Sequence, residues 1–110
     1  MIGIMIEDKA LIDNLDQVLS IKGLDFGFMG PFDLSISLSL PFQTSHPKVK
    51  EYISKAVGLC KAKGVIVGCA VADLESAKKA IHEGYNLLRV GVDLQVLHRE
   101  FRGLVEKLKQ

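Results

Sequence analysis

Two carboxylates, Glu7 and Asp33, stand where a parallel α/β protein keeps its chemistry. Each follows a short apolar run: Gly3-Ile4-Met5-Ile6 precedes Glu7, and Phe26-Gly27-Phe28-Met29 leads into Gly30-Pro31-Phe32-Asp33. Both acids are therefore predicted at the carboxyl ends of strands. Two carboxylates on adjacent strand ends are the minimum protein set for a hard divalent cation that keeps waters for a substrate to displace. Oxygen donors of this kind suit Mg²⁺ or Mn²⁺ and, less distinctively, Co²⁺. A helix N-cap or a solvated charge occupies the same kind of position, and spacing alone leaves both roles open.

The segment Gly30-Pro31-Phe32-Asp33-Leu34-Ser35 is more informative than either acid. Glycine admits close approach of backbone to a ligand, proline stiffens the turn, and the amides of Phe32 and Asp33 suit an anionic group such as a carboxylate. A plain tight turn is the competing role. Asp73 and Asp93 fit helix caps, and Asp8 fits a first-turn charge. Cys60 belongs to the apolar face of a helix and Cys69 to a strand, neither with the context that activates a thiolate. His46, before Pro47, reads as helix entry, and His82 and His98 are expected on solvent-facing helix positions. Arg89 interrupts Leu87-Leu88-Arg89-Val90, so its charge needs an ion-pair partner, a route to water at an open edge, or the pocket of a paired half.

The elements that must position these groups follow from hydrophobic periodicity. Strands are predicted at 3–6, 26–29, 65–70 and 87–92, short apolar runs suited to burial on both faces. A helix is expected from Ala10 to about Ile21, another from Pro47 to Gly64, a third after Asp73 ending at Glu83-Gly84, and a last one opened by Asp93. Residues 32–47 read as a long connection with a helical turn or two. Four parallel strands, each followed by a helix, define an α/β protein with half the elements of a (β/α)₈ TIM-type barrel. No glycine-rich loop follows the first strand, which argues against a phosphate-binding flavodoxin-like domain.

The chain has 110 residues, 48% hydrophobic and 25% charged, with a formal charge of +1. That size is one domain, 1–110, and that charge offers no field for nucleic acid or an anionic membrane. Two cysteines make no disulfide framework, and with no secretory leader or membrane-length apolar run in view they point to a reducing, cytoplasmic setting. Half a barrel exposes the inward faces of its strands, so a homo-oligomer or a complementary N-terminal half-barrel is expected to cover them.

Gly3-Ile4-Met5-Ile6-Glu7, Asn14-Leu15-Asp16, Gly23-Leu24-Asp25, Phe28-Met29-Gly30-Pro31-Phe32-Asp33-Leu34-Ser35, His46-Pro47 and Val90-Gly91-Val92-Asp93 together resemble the HpcH/HpaI aldolase family, in family order and spacing almost end to end. The stretch is similar to the C-terminal half of those enzymes. The resemblance implies a metal-dependent class II aldolase on a (β/α)₈ barrel, acting on 4-hydroxy-2-oxo acids through a pyruvate enolate. It implies that Glu7 and Asp33 bind the metal and that Gly30, Pro31, Phe32 and Asp33 form the pocket for a pyruvate-like 2-oxo acid. The family draws its base-linked histidine and its pyruvate-supporting arginine from the earlier half of the barrel, so aldolase activity is expected only when another half supplies them. The alternative is a non-catalytic, self-associating half-barrel that retains a divalent-metal site. Met5 stands where some members have glutamine, and Arg89 where the family usually has a small or apolar residue.

Overall fold

The computed structural model describes all 110 residues. Its elements run β1 (Gly3–Ile6), α1 (Lys9–Asp13), α2 (Leu15–Val18), β2 (Phe26–Met29), α3 (Pro31–Ser37), α4 (Pro47–Ala62), β3 (Ile66–Val71), α5 (Leu74–His82), β4 (Leu87–Val90) and α6 (Asp93–Leu108). The four strands form one parallel sheet in the order β1-β2-β3-β4.

The register sorts the strand residues into two faces. Ile4 and Ile6 pair with Gly27 and Met29, and Gly27 continues to Val67. Ile6, Met29 and Val67 are buried in one cluster with Ile12, Leu15, Leu34, Val49, Ala56 and Cys60 from the helices. On the other face lie Met5, Phe26, Phe28, Ile66, Leu87 and Arg89, and none of them belongs to that cluster. A doubly wound sheet buries both faces under helices, whereas a barrel puts helices on one side only. The one-sided core is that of half a barrel, and both β1 and β4 present open edges.

The strands match their predicted places with shifts of one or two residues. β3 starts at Ile66 because the Val65 amide is taken by the Cys60 carbonyl (2.9 Å), closing α4 through Gly64 at φ +70°. β4 stops at Val90 because Gly91, at φ +71°, turns the chain toward α6. The expected first helix is broken into α1 and α2. Asn14 Nδ2 donates to the Ala10 carbonyl (2.9 Å), and its backbone sits at φ −109°, ψ 13°, a local bond that competes with helix continuation. The connection after β2 is more ordered than a loop: Pro31 occupies the first turn of a seven-residue helix, α3. α3 closes with Leu40 N–H donating to Ser35 O (2.8 Å) around Ser39 at φ 59°.

The radius of gyration is 16.6 Å, against about 13 Å for a compact chain of this length. α6 accounts for the difference, since none of its residues is buried.

Candidate functional site

Glu7 is the first residue beyond β1, and Gly30 the first beyond β2. The Gly30 amide donates to Ile6 O (3.1 Å), which carries the parallel ladder one step past Met29 and sets the two strand ends side by side. The contact between them is close: a Cβ placed on Gly30 would meet both Glu7 Cβ and Glu7 Oε2 at 2.7 Å. Glycine is thus required here for space, and the Glu7 side chain lies across β2 instead of turning away to solvent. Pro31, Phe32 and Asp33 follow as the first turn of α3, with Asp33 exposed in it. Phe32 is 50% exposed and packs against Phe42, ring centroids 5.2 Å apart and tilted 48°. Ser35 is fully buried, its hydroxyl donating to Phe32 O at 2.6 Å, which ties this first turn down.

Neither Glu7 nor Asp33 takes part in any ion pair of the chain. No three His, Cys, Asp or Glu side chains converge as a metal cluster. The available donors are therefore two carboxylates, which do not form a dedicated cage. They match a cation such as Mg²⁺, which binds through one or two carboxylates and takes its other ligands from water and substrate.

A link not foreseen from the sequence holds the two loops together. Asp8 is the N-cap of α1, its Oδ1 accepting from Leu11 N (3.0 Å), while Oδ2 accepts from Ser37 Oγ (2.9 Å). Ser37 Oγ in turn accepts from Lys9 N (2.8 Å). The turn bearing Glu7 is thereby fastened to the far end of the helix bearing Asp33. The Leu11 amide, followed by the Ser37 hydroxyl, holds the Asp8 carboxyl below the usual carboxylate range. An Asp before the apolar period of Leu11 and Leu15 was the available cap signal, whereas Ser37 carried none.

The other candidates have structural places. Asp73 caps α5 in a reciprocal pair with Ser76: Ser76 N donates to Asp73 Oδ1 (2.8 Å) and Asp73 N to Ser76 Oγ (3.1 Å). Asp93 is not a cap. It lies inside the first turn of α6, where Val92 holds the cap position without a side-chain bond. His46 caps α4, Nδ1 accepting from Lys48 N (3.1 Å), and His82 and His98 are exposed. Burial pushes both thiols up, Cys60 in the core and Cys69 partly covered, so neither is an activated nucleophile. Arg89 is exposed on the edge strand and belongs to no ion pair. A cleft of about 500 Å³ lined by Lys50, Ile53, Ser54, Val57, Lys79 and Tyr85 lies between helices on the outer layer, not at the strand ends. No helix is long and apolar enough to cross a membrane.

A one-sided parallel βα sheet with acidic groups at its carboxyl ends defines the (β/α)-barrel type as the structural class. Within it, the chain belongs to the HpcH/HpaI aldolase/citrate lyase family, whose model matches residues 1–99. It is 37% identical over 90 residues to a 2-keto-3-deoxy-L-rhamnonate aldolase of Salmonella paratyphi B, covering 82% of this chain and 34% of that protein. Its fold superposes on an HpcH/HpaI aldolase from Desulfitobacterium hafniense with a TM-score of 0.87 at 30% identity, over 100% of this chain and 43% of that one. A family protein from Burkholderia cenocepacia gives a TM-score of 0.90 at 27% identity, over 98% and 42% of the two chains. The chain thus spans about a third of the length of the curated relatives it matches.

Proposed function

We propose that this chain is half of a metal-dependent carbon–carbon lyase acting on 4-hydroxy-2-oxo acids through a pyruvate enolate, and that it works when a second half-barrel completes the site. The observation that carries the reading is the Glu7 side chain laid against Gly30 at the junction of β1 and β2, with Asp33 one helical turn beyond. Glu7 and Asp33 would hold Mg²⁺, Mn²⁺ or Co²⁺, since neither acid is committed to a structural ion pair. When bound, the cation supplies a Lewis acid toward the 2-oxo acid. Gly30 leaves room for that acid beside Glu7, Pro31 fixes the turn, and Phe32 and Asp33 border the pocket where its carboxylate would lie. The completing half would supply the groups that move the proton.

Completion also answers an energetic need. Met5, Ile66 and Val90 on the strands are 49%, 38% and 59% exposed, and Leu97 and Phe101 on α6 are 56% and 65% exposed. Apolar surface of this extent is normally covered, by another copy of the chain or by an N-terminal half-barrel. The unpaired thiols Cys60 and Cys69 suit a reducing cytoplasm.

The test is a retro-aldol assay on a 4-hydroxy-2-oxo acid at a defined oligomeric state, following pyruvate release with and without Mn²⁺ beside Glu7→Ala. Metal-dependent turnover that Glu7→Ala abolishes is the expected result. Mn²⁺ binding without turnover would instead mean a non-catalytic half-barrel or a chain that still needs its N-terminal half, and absence of Mn²⁺ binding would overturn both readings.

A further inference from the structure

α4 and α5 both pack on β3 but have little contact with each other. The space left between them is the cleft of about 500 Å³ on the helix layer. That volume falls in the range of small-molecule pockets, roughly 300–1,000 Å³. Its apolar part is fixed in place, because Ile53, Val57 and Tyr85 line it and also pack against the core. Tyr85 is set by the end of α5: Gly84 turns the chain at φ +89°, the Tyr85 amide donates to Ala80 O (3.0 Å), and the Asn86 amide donates to Val67 O of β3 (2.9 Å). Lys61 Nζ donates to Glu83 O (2.7 Å), which ties α4 to the same turn.

The polar part of the cleft consists mostly of donors without partners. Lys50, Ile53, Ser54 and Val57 recur at the three- and four-residue steps that share one face of α4, and Lys79 and Glu83 do the same on α5. Lys50 belongs to no ion pair. Lys79 meets Glu83 only at 3.9 Å, both side chains exposed, an arrangement that water screens. The Ser54 and Tyr85 hydroxyls make no hydrogen bond within the chain. Neither hydroxyl is sealed in the core, so both are open to what enters the cleft. Burial pushes the Tyr85 phenol up to about 12, which keeps it a donor at neutral pH.

Two ammoniums and two hydroxyls against a single carboxylate call for an anion that accepts several hydrogen bonds. A phosphoryl group has three acceptor oxygens and close to two charges, where a carboxylate has two oxygens and one charge. The four-carbon lysine stems let ammoniums from both helices turn toward one such group. We propose that the cleft between α4 and α5 binds an organic phosphate monoester, with its phosphoryl group among Lys50, Lys79 and the two hydroxyls and its apolar body on Ile53, Val57 and the Tyr85 ring. Every residue of this site belongs to the present chain and lies away from the strand ends, so the assignment is independent of the 2-oxo acid reading.

The test is an amide NMR titration of the full chain, without divalent cations, using phenyl phosphate, inorganic phosphate and benzoate as probes. Phenyl phosphate should shift amides of residues 50–57 and 79–85, and should bind about tenfold tighter than either of the other two. Lys50→Ala and Lys79→Ala should each weaken it by about tenfold, the scale of one charge-assisted bond. Tyr85→Phe keeps the ring and should cost about threefold. Lys48→Ala removes a cation of the same helix outside the cleft and should change nothing. Both cleft lysines are exposed, so their variants are expected to fold, which a thermal melt checks. An equal loss in Lys48→Ala would mean diffuse attraction to a basic surface and overturns the site. Benzoate binding as tightly as phenyl phosphate overturns the phosphoryl assignment, and inorganic phosphate doing so overturns the apolar body. Shifts confined to other parts of the chain, or no shifts at all, overturn the proposal as a whole.

Discussion

α4 and α6 are both 16-residue amphipathic helices, yet α4 buries Val49, Ala56 and Cys60 while α6 buries nothing. Their sequences differ little in kind. α4 is held at both ends, by its His46-Pro47 entry and by the turn into β3, so its apolar stripe is pressed against the sheet. α6 is anchored to the sheet only through β4 and Gly91, and its stripe of Leu94, Leu97, Phe101 and Leu104 faces outward. An apolar period therefore determines that a helix forms and which side it buries, but not which surface it buries that side against. The sheet repeats the contrast: one face is closed under α1 to α5, and the other is open.

The largest effect that sharpens this comparison is Val49→Ala. Val49 is fully buried, and removing its two methyl groups should cost about 2 kcal/mol in a denaturant melt, from lost burial plus the cavity left behind. The paired changes Leu97→Ser and Phe101→Ser on α6 should leave the dilute chain's stability within about 0.5 kcal/mol. The same changes should weaken association by about tenfold or more by sedimentation, since apolar anchors dominate interfaces. Equal destabilisation of the dilute chain by the α4 and α6 variants would break the distinction.

Gly30→Ala sharpens the open face. The added methyl collides with Glu7, so Mn²⁺ affinity should fall while the fold survives, checked by titration beside a thermal melt. Ser37→Ala removes a donor to Asp8 and an acceptor for Lys9 N, and should cost about 1 kcal/mol in a thermal melt, with a further loss of Mn²⁺ affinity as the Glu7 turn loosens.

The smallest effect is a pH dependence at the same link. Asp8, Asp13 and Asp73 are all held below the ordinary carboxylate value, by the Leu11 amide, the Lys9 ammonium and the Ser76 hydroxyl respectively. A depressed folded value means that their stabilisation is present above about pH 4 and is lost as the pH falls through the folded values. Asp8→Asn should flatten that acid limb in pH-dependent melts. At the other end, burial pushes the Tyr85 phenol up to about 12, so its contribution holds below about pH 10 and fades as the pH rises toward 12.

Much of the fold was legible because short apolar runs and 3.6-residue periods are local signals. All four strands, the α4 and α5 helices and the Asp73 cap lie where those signals placed them. The break at Asn14 was not legible, and α3 was legible only as a helical turn or two without its place or extent. The first depends on a side-chain bond that competes with the helix, and the second on a Gly-Pro start inside a segment whose Ser and Pro content reads as loop. At the candidate site, the residue types and their strand-end positions could be read from Glu7 and from Gly30-Pro31-Phe32-Asp33. The partnership of Asp8 with Ser37, 29 residues apart, could not.

By itself the sequence determined that the chain forms four βα units, which side of each helix is apolar, and that two acids close adjacent strands, because all of these follow from neighbours within a few residues. Only the tertiary structure decided that the helices cover a single face, that Glu7 lies against Gly30, and that Asp8 meets Ser37. Those relations depend on strand order and register, which are set by the packing of segments distant in the chain.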